Sequence, residues 1–152
     1  MKKKANKSRV FLSWGIFLFW AALIFFFSSQ GSSDSSELSG GIMEFINQIL
    51  PFSISLHITR KIAHFTEFFI LGLCTINLLN CYQRVDKKAL LYALVFCFCY
   101  ACSDEIHQIF VEGRGPSIID VCIDTSGSLV SILIILGIQK YKKRKKAYNK
   151  NR

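Results

Sequence analysis

The stretch VFLSWGIFLFWAALIFFF, residues 10–27, is an apolar run without a charged side chain. At a rise of about 1.5 Å per residue, a helix of this length nearly crosses a hydrocarbon layer about 30 Å thick. A soluble domain would rarely bury such a helix on every side. The run therefore predicts a membrane-spanning helix.

A signal peptide is the competing interpretation, because basic residues precede the run. The apolar stretch is longer than a usual signal-peptide core, however, and it ends in Phe27-Ser28-Ser29-Gln30 without a small-x-small cleavage site. We therefore expect the segment to be retained as a helix.

Three further apolar segments have the length of a membrane span, at about residues 58–80, 89–111 and 118–138. The predicted fold is all-α: a polytopic membrane four-helix bundle over residues 10–138. Basic tails precede and follow it, at residues 1–9 and 139–152.

The distribution of basic residues predicts the orientation. A net charge of +9 would suggest nucleic acid in a soluble protein, but here the basic blocks flank apolar runs, so we expect no nucleic-acid partner. Sixteen Lys and Arg residues lie in the two tails and the turn 84–88, against three on the other side. This bias predicts a multi-pass protein with both termini in the cytoplasm.

The segment between the first two spans would then lie outside. Residues 28–36 predict a flexible, acidic loop, and residues 42–50 have apolar side chains at helical spacing before Pro51. A short amphipathic helix in the outer interface is predicted there. A loop with a few apolar anchors is the alternative.

The six cysteines fall inside or at the ends of apolar segments, which predicts no structural disulfide. The spacing Cys97-x-Cys99-x-x-Cys102 could suggest a metal site. Free cysteine is a common small apolar filler in buried helices, which is the favoured interpretation.

Ionisable side chains gather near the outer ends of the last three spans. Helical spacing places Arg60, His64 and Glu67 on one face of the second span, and Asp104, His107 and Gln108 on one face of the third. The predicted functional pocket is lined by Arg60, His64, Glu67, Asp104, Glu105, His107, Gln108, Arg114, Asp120 and Asp124.

Two interpretations of this layer stay open. A charge within a span costs about 2.5–3.5 kcal/mol, so these groups should face one another or water. In the structural interpretation, Arg60, Lys61 and Arg114 neutralise carboxylates. In the functional one, which we favour, the groups converge to bind or transform a polar ligand. The sequence does not decide whether the protein is an enzyme, and it assigns no catalytic residue.

No cofactor is predicted, although a divalent metal is a minor alternative. Asp104-x-x-His107 is similar to the Glu-x-x-His motif of di-iron bundles, but the second span has the reversed order His64-x-x-Glu67. This reversal disfavours a metal site of that type.

Three blocks, RKIAHFTEF at 60–68, SDEIHQIFVEGR at 103–114 and DVCIDTSG at 120–127, closely resemble the VanZ-like family. The resemblance implies a bacterial integral membrane protein, and the family's named member is a teicoplanin resistance protein. The residues here that would carry the family's site are His64, Glu67, Asp104, Glu105, His107, Gln108, Arg114, Asp120 and Asp124.

The leading functional hypothesis is a cell-envelope protein that lowers susceptibility to teicoplanin-type glycopeptides. It would bind or alter an outer-leaflet component, so the expected partners are membrane lipid, a lipid-linked wall precursor or the glycopeptide. The alternative is a membrane enzyme using His and carboxylate chemistry on a lipid-linked phosphate or ester. A transporter is less favoured, because the inner halves of the spans carry no charged groups. The oligomeric state is not predicted.

Overall fold

The computed structural model describes residues 6–49, 53–82 and 85–150. Within these ranges it contains five helices and no strand: α1 (Lys7–Ser28), α2 (Ser32–Ile49), α3 (Leu56–Tyr82), α4 (Lys87–Gln108) and α5 (Ile118–Lys150). The predicted all-α fold is confirmed. Of the described helices, α1, α3, α4 and α5 are long and apolar enough to cross a membrane.

Polar side chains mark where two of the long helices begin. The side chain of Asn6 accepts a hydrogen bond of 3.1 Å from the backbone N–H of Ser8, before α1. Asp86 accepts one of 2.9 Å from the N–H of Ala89, before α4. The first turn of a helix has N–H groups without helical acceptors, so these caps fix the starting points.

Helix α3 lies at the centre and packs against each of the other four described helices. Phe68 and Leu71 of α3 are fully buried in one apolar cluster, while Ile76 belongs to a second cluster further along the helix. On the outside, apolar side chains such as Phe11 of α1 and Ile118 of α5 are 84% exposed. An apolar exterior of this kind suits a lipid environment.

The tightest packing is between α3 and α5. A Cβ atom added to Gly127 of α5 would overlap the carbonyl oxygen of Phe65 in α3. One residue further on, the hydroxyl of Ser128 donates a hydrogen bond of 3.0 Å to the carbonyl of Phe68. Ser131 continues this buried stripe. These small residues therefore form the face of α5 that packs against α3.

The serine-rich segment after α1 corrects one prediction. Helix α2 begins at Ser32, so the prediction of a flexible loop over residues 28–36 is wrong from that residue on. The backbone N–H of Ser32 donates to the carbonyl of Glu112 (3.2 Å), and the hydroxyl of Ser36 donates to the carbonyl of Ser32 (2.6 Å). Serine has a modest helix propensity, and these contacts override it.

Helix α2 is also longer than the short interfacial helix predicted over residues 42–50. It covers eighteen residues, and the side chain of Asn47 ties its end to Ile54. The Asn47 side chain accepts a hydrogen bond from the N–H of Ile54 (2.7 Å) and donates one to its carbonyl (3.2 Å). Leu50 and the predicted stop at Pro51 lie outside the described residues.

The ends of α4 and α5 differ from the predicted spans. Helix α4 stops at Gln108, three residues before the predicted end, because the N–H of Phe110 bonds to the carbonyl of His107 (3.0 Å) in a tight turn. Helix α5 does not stop at residue 138 but continues to Lys150, so most of the predicted C-terminal tail is helical. Residues 1–5, 83–84 and 151–152, which belong to the predicted basic segments, lie outside the described residues.

The contact at Gly127 leads to a stability prediction. Gly127→Ala should lower the free energy of unfolding by about 1–3 kcal/mol, because the methyl group would collide with the backbone of α3 and cannot be relieved by a side-chain rotation. The measurement is the melting temperature of the purified protein in detergent.

Gly137→Ala is the matched control, since a Cβ at that position of α5 meets no atom within 4 Å. Its melting temperature should stay the same or rise. An equal decrease in melting temperature in the two variants would contradict a specific α3–α5 contact at Gly127.

Candidate functional site

The ionisable residues of α3, α4 and α5 lie together where α1 and α4 end and where α3 and α5 begin. We call this region the polar end. Helix α2 lies over it and forms one wall of a cavity of about 120 Å³, the covered cavity. Five predicted site residues line it: Arg60, His64, Glu67, Asp104 and Arg114.

A second cavity of about 180 Å³, the side cavity, adjoins the first. Arg60, His64 and Arg114 line both cavities and so stand between them. Gln108 and Asp120 line only the side cavity. The structure therefore brings seven of the ten predicted residues to two neighbouring cavities.

The three basic residues of the polar end have different roles. Lys61 forms an ion pair with Asp120, as the structural interpretation of the layer expects. Arg60 and Arg114 have no carboxylate within 4.0 Å among the described residues. Arg114 donates only a weak hydrogen bond to the carbonyl of Phe27 (3.4 Å), and its buried Nε has no acceptor there.

Arg114 lies between α4 and α5, outside the spans. Burial lowers the pKa of its guanidinium, and the neighbouring charge of Arg60 lowers this pKa as well, whereas nearby carboxylates raise it. Arginine stays protonated in proteins despite such effects. Two guanidinium cations therefore face the covered cavity with donors to spare for an anion.

Two carboxylates at the end of α4 are held by hydrogen bonds. Asp104 accepts one of 3.1 Å from the side chain of Gln108, which also donates to the hydroxyl of Ser28 (3.3 Å). Glu105 accepts a hydrogen bond of 2.6 Å from the backbone N–H of Ser117, just before α5. Glu105 thus stabilises the start of α5 and does not line the covered cavity.

Asp124 lies behind the covered cavity and is completely buried. Its Oδ1 is 3.4 Å from Nδ1 of His64, but neither carboxylate oxygen receives a hydrogen bond from the described residues. Glu67, one turn from His64, lines the cavity itself. Histidine and carboxylates so close together could move protons or bind a cation.

His107 is separated from the other predicted residues. Its ring stacks on Phe25 with centroids 4.4 Å apart, and its Nε2 lies 3.1 Å from the hydroxyl of Ser29. It lines an open groove beside Gly31, not either cavity of the polar end. The helical spacing predicted that His107 and Asp104 share one face of α4. In the structure, His107 lies three residues after Asp104 and faces α1 instead.

Several residues that line the covered cavity were not predicted from the sequence as site residues. Leu38, Ser39 and Ile42 of α2 line the covered cavity, together with Ser28 at the end of α1. Leu38 and Ile42 have the four-residue spacing of an amphipathic helix. That signal was available, but the predicted helix began only at Ile42.

The Lys61–Asp120 ion pair leads to a second prediction. Because both side chains are largely buried, removing one partner leaves a charge poorly compensated, so Lys61→Ala and Asp120→Ala should each destabilise the protein. The double variant should lose less free energy of unfolding than the two single variants lose together. The difference, the coupling free energy, should be about 1–3 kcal/mol. Melting curves of the four proteins in detergent measure this coupling, and strictly additive losses would contradict a stabilising pair.

Comparison with known proteins agrees with the resemblance seen in the three sequence blocks. The family model described as VanZ/LLP1 matches residues 13–139, a range that contains α2, α3, α4 and most of the polar and apolar features described above. Searches of curated proteins and of solved structures give no significant match. The family match covers most of the chain, and the protein therefore belongs to the VanZ/LLP1 family.

Proposed function

We propose that this protein lowers the susceptibility of bacterial cells to teicoplanin-type glycopeptides by binding or altering an anionic outer-leaflet component, such as a lipid-linked wall precursor, at the covered cavity. Family membership supports the resistance-like function in general. The observation that carries the site is the pair Arg60 and Arg114, which line the cavity without a carboxylate partner among the described residues.

The chemistry of two free guanidinium groups favours phosphate over a neutral ligand. Arginine binds phosphate through several donors held in one plane, and such charge-assisted hydrogen bonds are about twice as strong as neutral ones. Lipid-linked wall precursors carry phosphate next to a long apolar chain. Leu38 and Ile42 supply apolar surface in the same cavity.

The size of the cavity favours a head group over the whole drug. Sites for drug-sized molecules measure about 300–1,000 Å³, whereas the covered cavity measures about 120 Å³. A phosphate group with its nearest atoms is a suitable occupant, and a glycopeptide is much too large. Direct trapping of the antibiotic in this cavity is therefore disfavoured.

The orientation of the polar end is part of the proposal. Lys and Arg residues are concentrated in the segments at the opposite end of the spans, which favours a cytoplasmic location for those segments. The polar end then opens toward the outer leaflet, where wall precursors and glycopeptides meet.

The test is glycopeptide susceptibility of cells that express Arg60→Gln or Arg114→Gln, with membrane abundance measured in parallel. Each variant should lose protection at least about tenfold, since a charge-assisted contact contributes about 1.5–3 kcal/mol. Arg144→Gln is the matched control, because it removes one positive charge from an exposed position of α5 far from the cavity. Full protection by both cavity variants at normal abundance would count against the proposal.

Binding can be measured without cells. The purified protein in nanodiscs should retain a polyprenyl diphosphate in preference to phosphatidylcholine, and Arg114→Gln should weaken this retention while Arg144→Gln does not. Native mass spectrometry of the extracted complex reports the bound lipid. Equal retention of both lipids would contradict recognition of phosphate.

A membrane enzyme acting on a lipid-linked phosphate or ester is the second candidate. It is favoured by the contact between His64 and Asp124 and by the carboxylate of Glu67 in the cavity. An enzyme of this kind should change the mass of a lipid when the purified protein is incubated with membrane extract, and His64→Gln should abolish the change. An unchanged lipid profile with folded protein would leave binding as the function.

A further inference from the structure

We propose that His64, Asp104 and Asp124 form a binding site for one divalent transition-metal ion beneath the covered cavity. The three residues come from three different helices, α3, α4 and α5. One donor atom of each lies within 4.8 Å of the donor atoms of the other two. This site is independent of the proposed function, because it needs neither a lipid nor an antibiotic.

The buried state of Asp124 is the observation that points to a ligand. The residue has no exposed surface, and neither of its carboxylate oxygens accepts a hydrogen bond from the described residues. Nδ1 of His64 faces Oδ1 of Asp124 at 3.4 Å, an ion-pair distance when the imidazole is protonated, but it has no hydrogen-bond partner there either. Buried polar groups are normally satisfied, and buried charges are paired or coordinate metals. A cation between these atoms would satisfy all three.

The geometry allows a single ion to reach the three donors. Around one ion with bonds of about 2.0–2.2 Å, donor atoms lie about 3–4 Å apart. The observed limit of 4.8 Å is slightly wider, so small rotations of the side chains would complete the contacts. His64 and Asp104 line the covered cavity, which gives the ion a route of entry.

The donor set restricts the kind of ion. One imidazole and two carboxylates suit Zn²⁺ or Mn²⁺, whereas Ca²⁺ and Mg²⁺ prefer sites built from oxygen alone. Two carboxylate charges balance the charge of a divalent ion, so the combination is neutral within the span. Three protein ligands also leave coordination positions open toward the cavity.

Asp104 has the supporting contact expected of a metal ligand. Gln108 donates a hydrogen bond of 3.1 Å to Oδ2 of Asp104. Outer contacts of this kind orient the ligating oxygen and are typical of metal sites. The set differs from the di-iron pattern considered for the sequence, because Glu67 and His107 are replaced by Asp124.

The test uses the full chain in detergent, with any affinity tag removed, stripped with a chelator and then dialysed against Zn²⁺ alone. Elemental analysis should give one Zn²⁺ per chain, and the melting temperature should rise with Zn²⁺. Asp124→Asn and His64→Gln should lower the affinity at least about tenfold and abolish the shift in melting temperature.

Glu112→Gln is the matched control. It removes a carboxylate charge from an exposed side chain between α4 and α5, outside the proposed ligand set. This variant should bind Zn²⁺ like the unchanged protein. Equal loss of Zn²⁺ in Glu112→Gln and Asp124→Asn, or no stoichiometric Zn²⁺ in the unchanged protein, would overturn the proposal.

A measurement on the unchanged protein covers the case in which Asp124→Asn or His64→Gln does not fold. Mn²⁺ bound at this site should show coupling to an imidazole nitrogen in pulsed electron paramagnetic resonance. Bound Mn²⁺ without nitrogen coupling would overturn the site. If the unchanged protein binds Zn²⁺ but does not retain the polyprenyl diphosphate, only the proposed function is contradicted.

Discussion

The backbones of α3 and α5 touch at Gly127, and the arrangement of the polar end depends on that contact. The carbonyl of Phe65 fills the space where any other residue at position 127 would have its Cβ atom. His64 precedes Phe65, and Asp124 lies almost one turn before Gly127. The close approach therefore forces His64 and Asp124 together inside the protein. A wider separation of the helices would let water or lipid enter between them.

The polar end combines groups that stabilise the fold with groups that are left free. Lys61 compensates the charge of Asp120, and the N–H of Ser117 donates to one carboxylate oxygen of Glu105. Asp124 has only the ring of His64 at 3.4 Å and accepts no hydrogen bond from the described residues, and Arg114 donates only a weak one. An uncompensated charge is costly in a span, so the unsatisfied carboxylate oxygens of Asp124 do not serve a purely structural layer. The free groups are consequently the better guide to function.

The sequence predicts the fold class well because long apolar runs such as residues 10–27 have few alternatives. It also places the ionisable groups at one end, since that follows from counting residues along each helix. Which groups meet could not be predicted in the same way. The pairing of Lys61 with Asp120, and the turning of His107 toward Phe25, depend on how far each helix is rotated. Helix α2 was underestimated because serine is common in loops, and its docking on Glu112 is a tertiary contact.

Helix α5 is unbroken over 33 residues and is therefore about 50 Å long, some 20 Å longer than a hydrocarbon layer is thick. Its excess length carries the basic residues 140–150, which are attracted to anionic lipid head groups by about 1 kcal/mol each. A rigid helix cannot adjust one end without moving the other. Attraction between the basic end and an anionic membrane would therefore shift the depth of Asp124, and membranes with different lipid charge or thickness would hold the polar end at different heights.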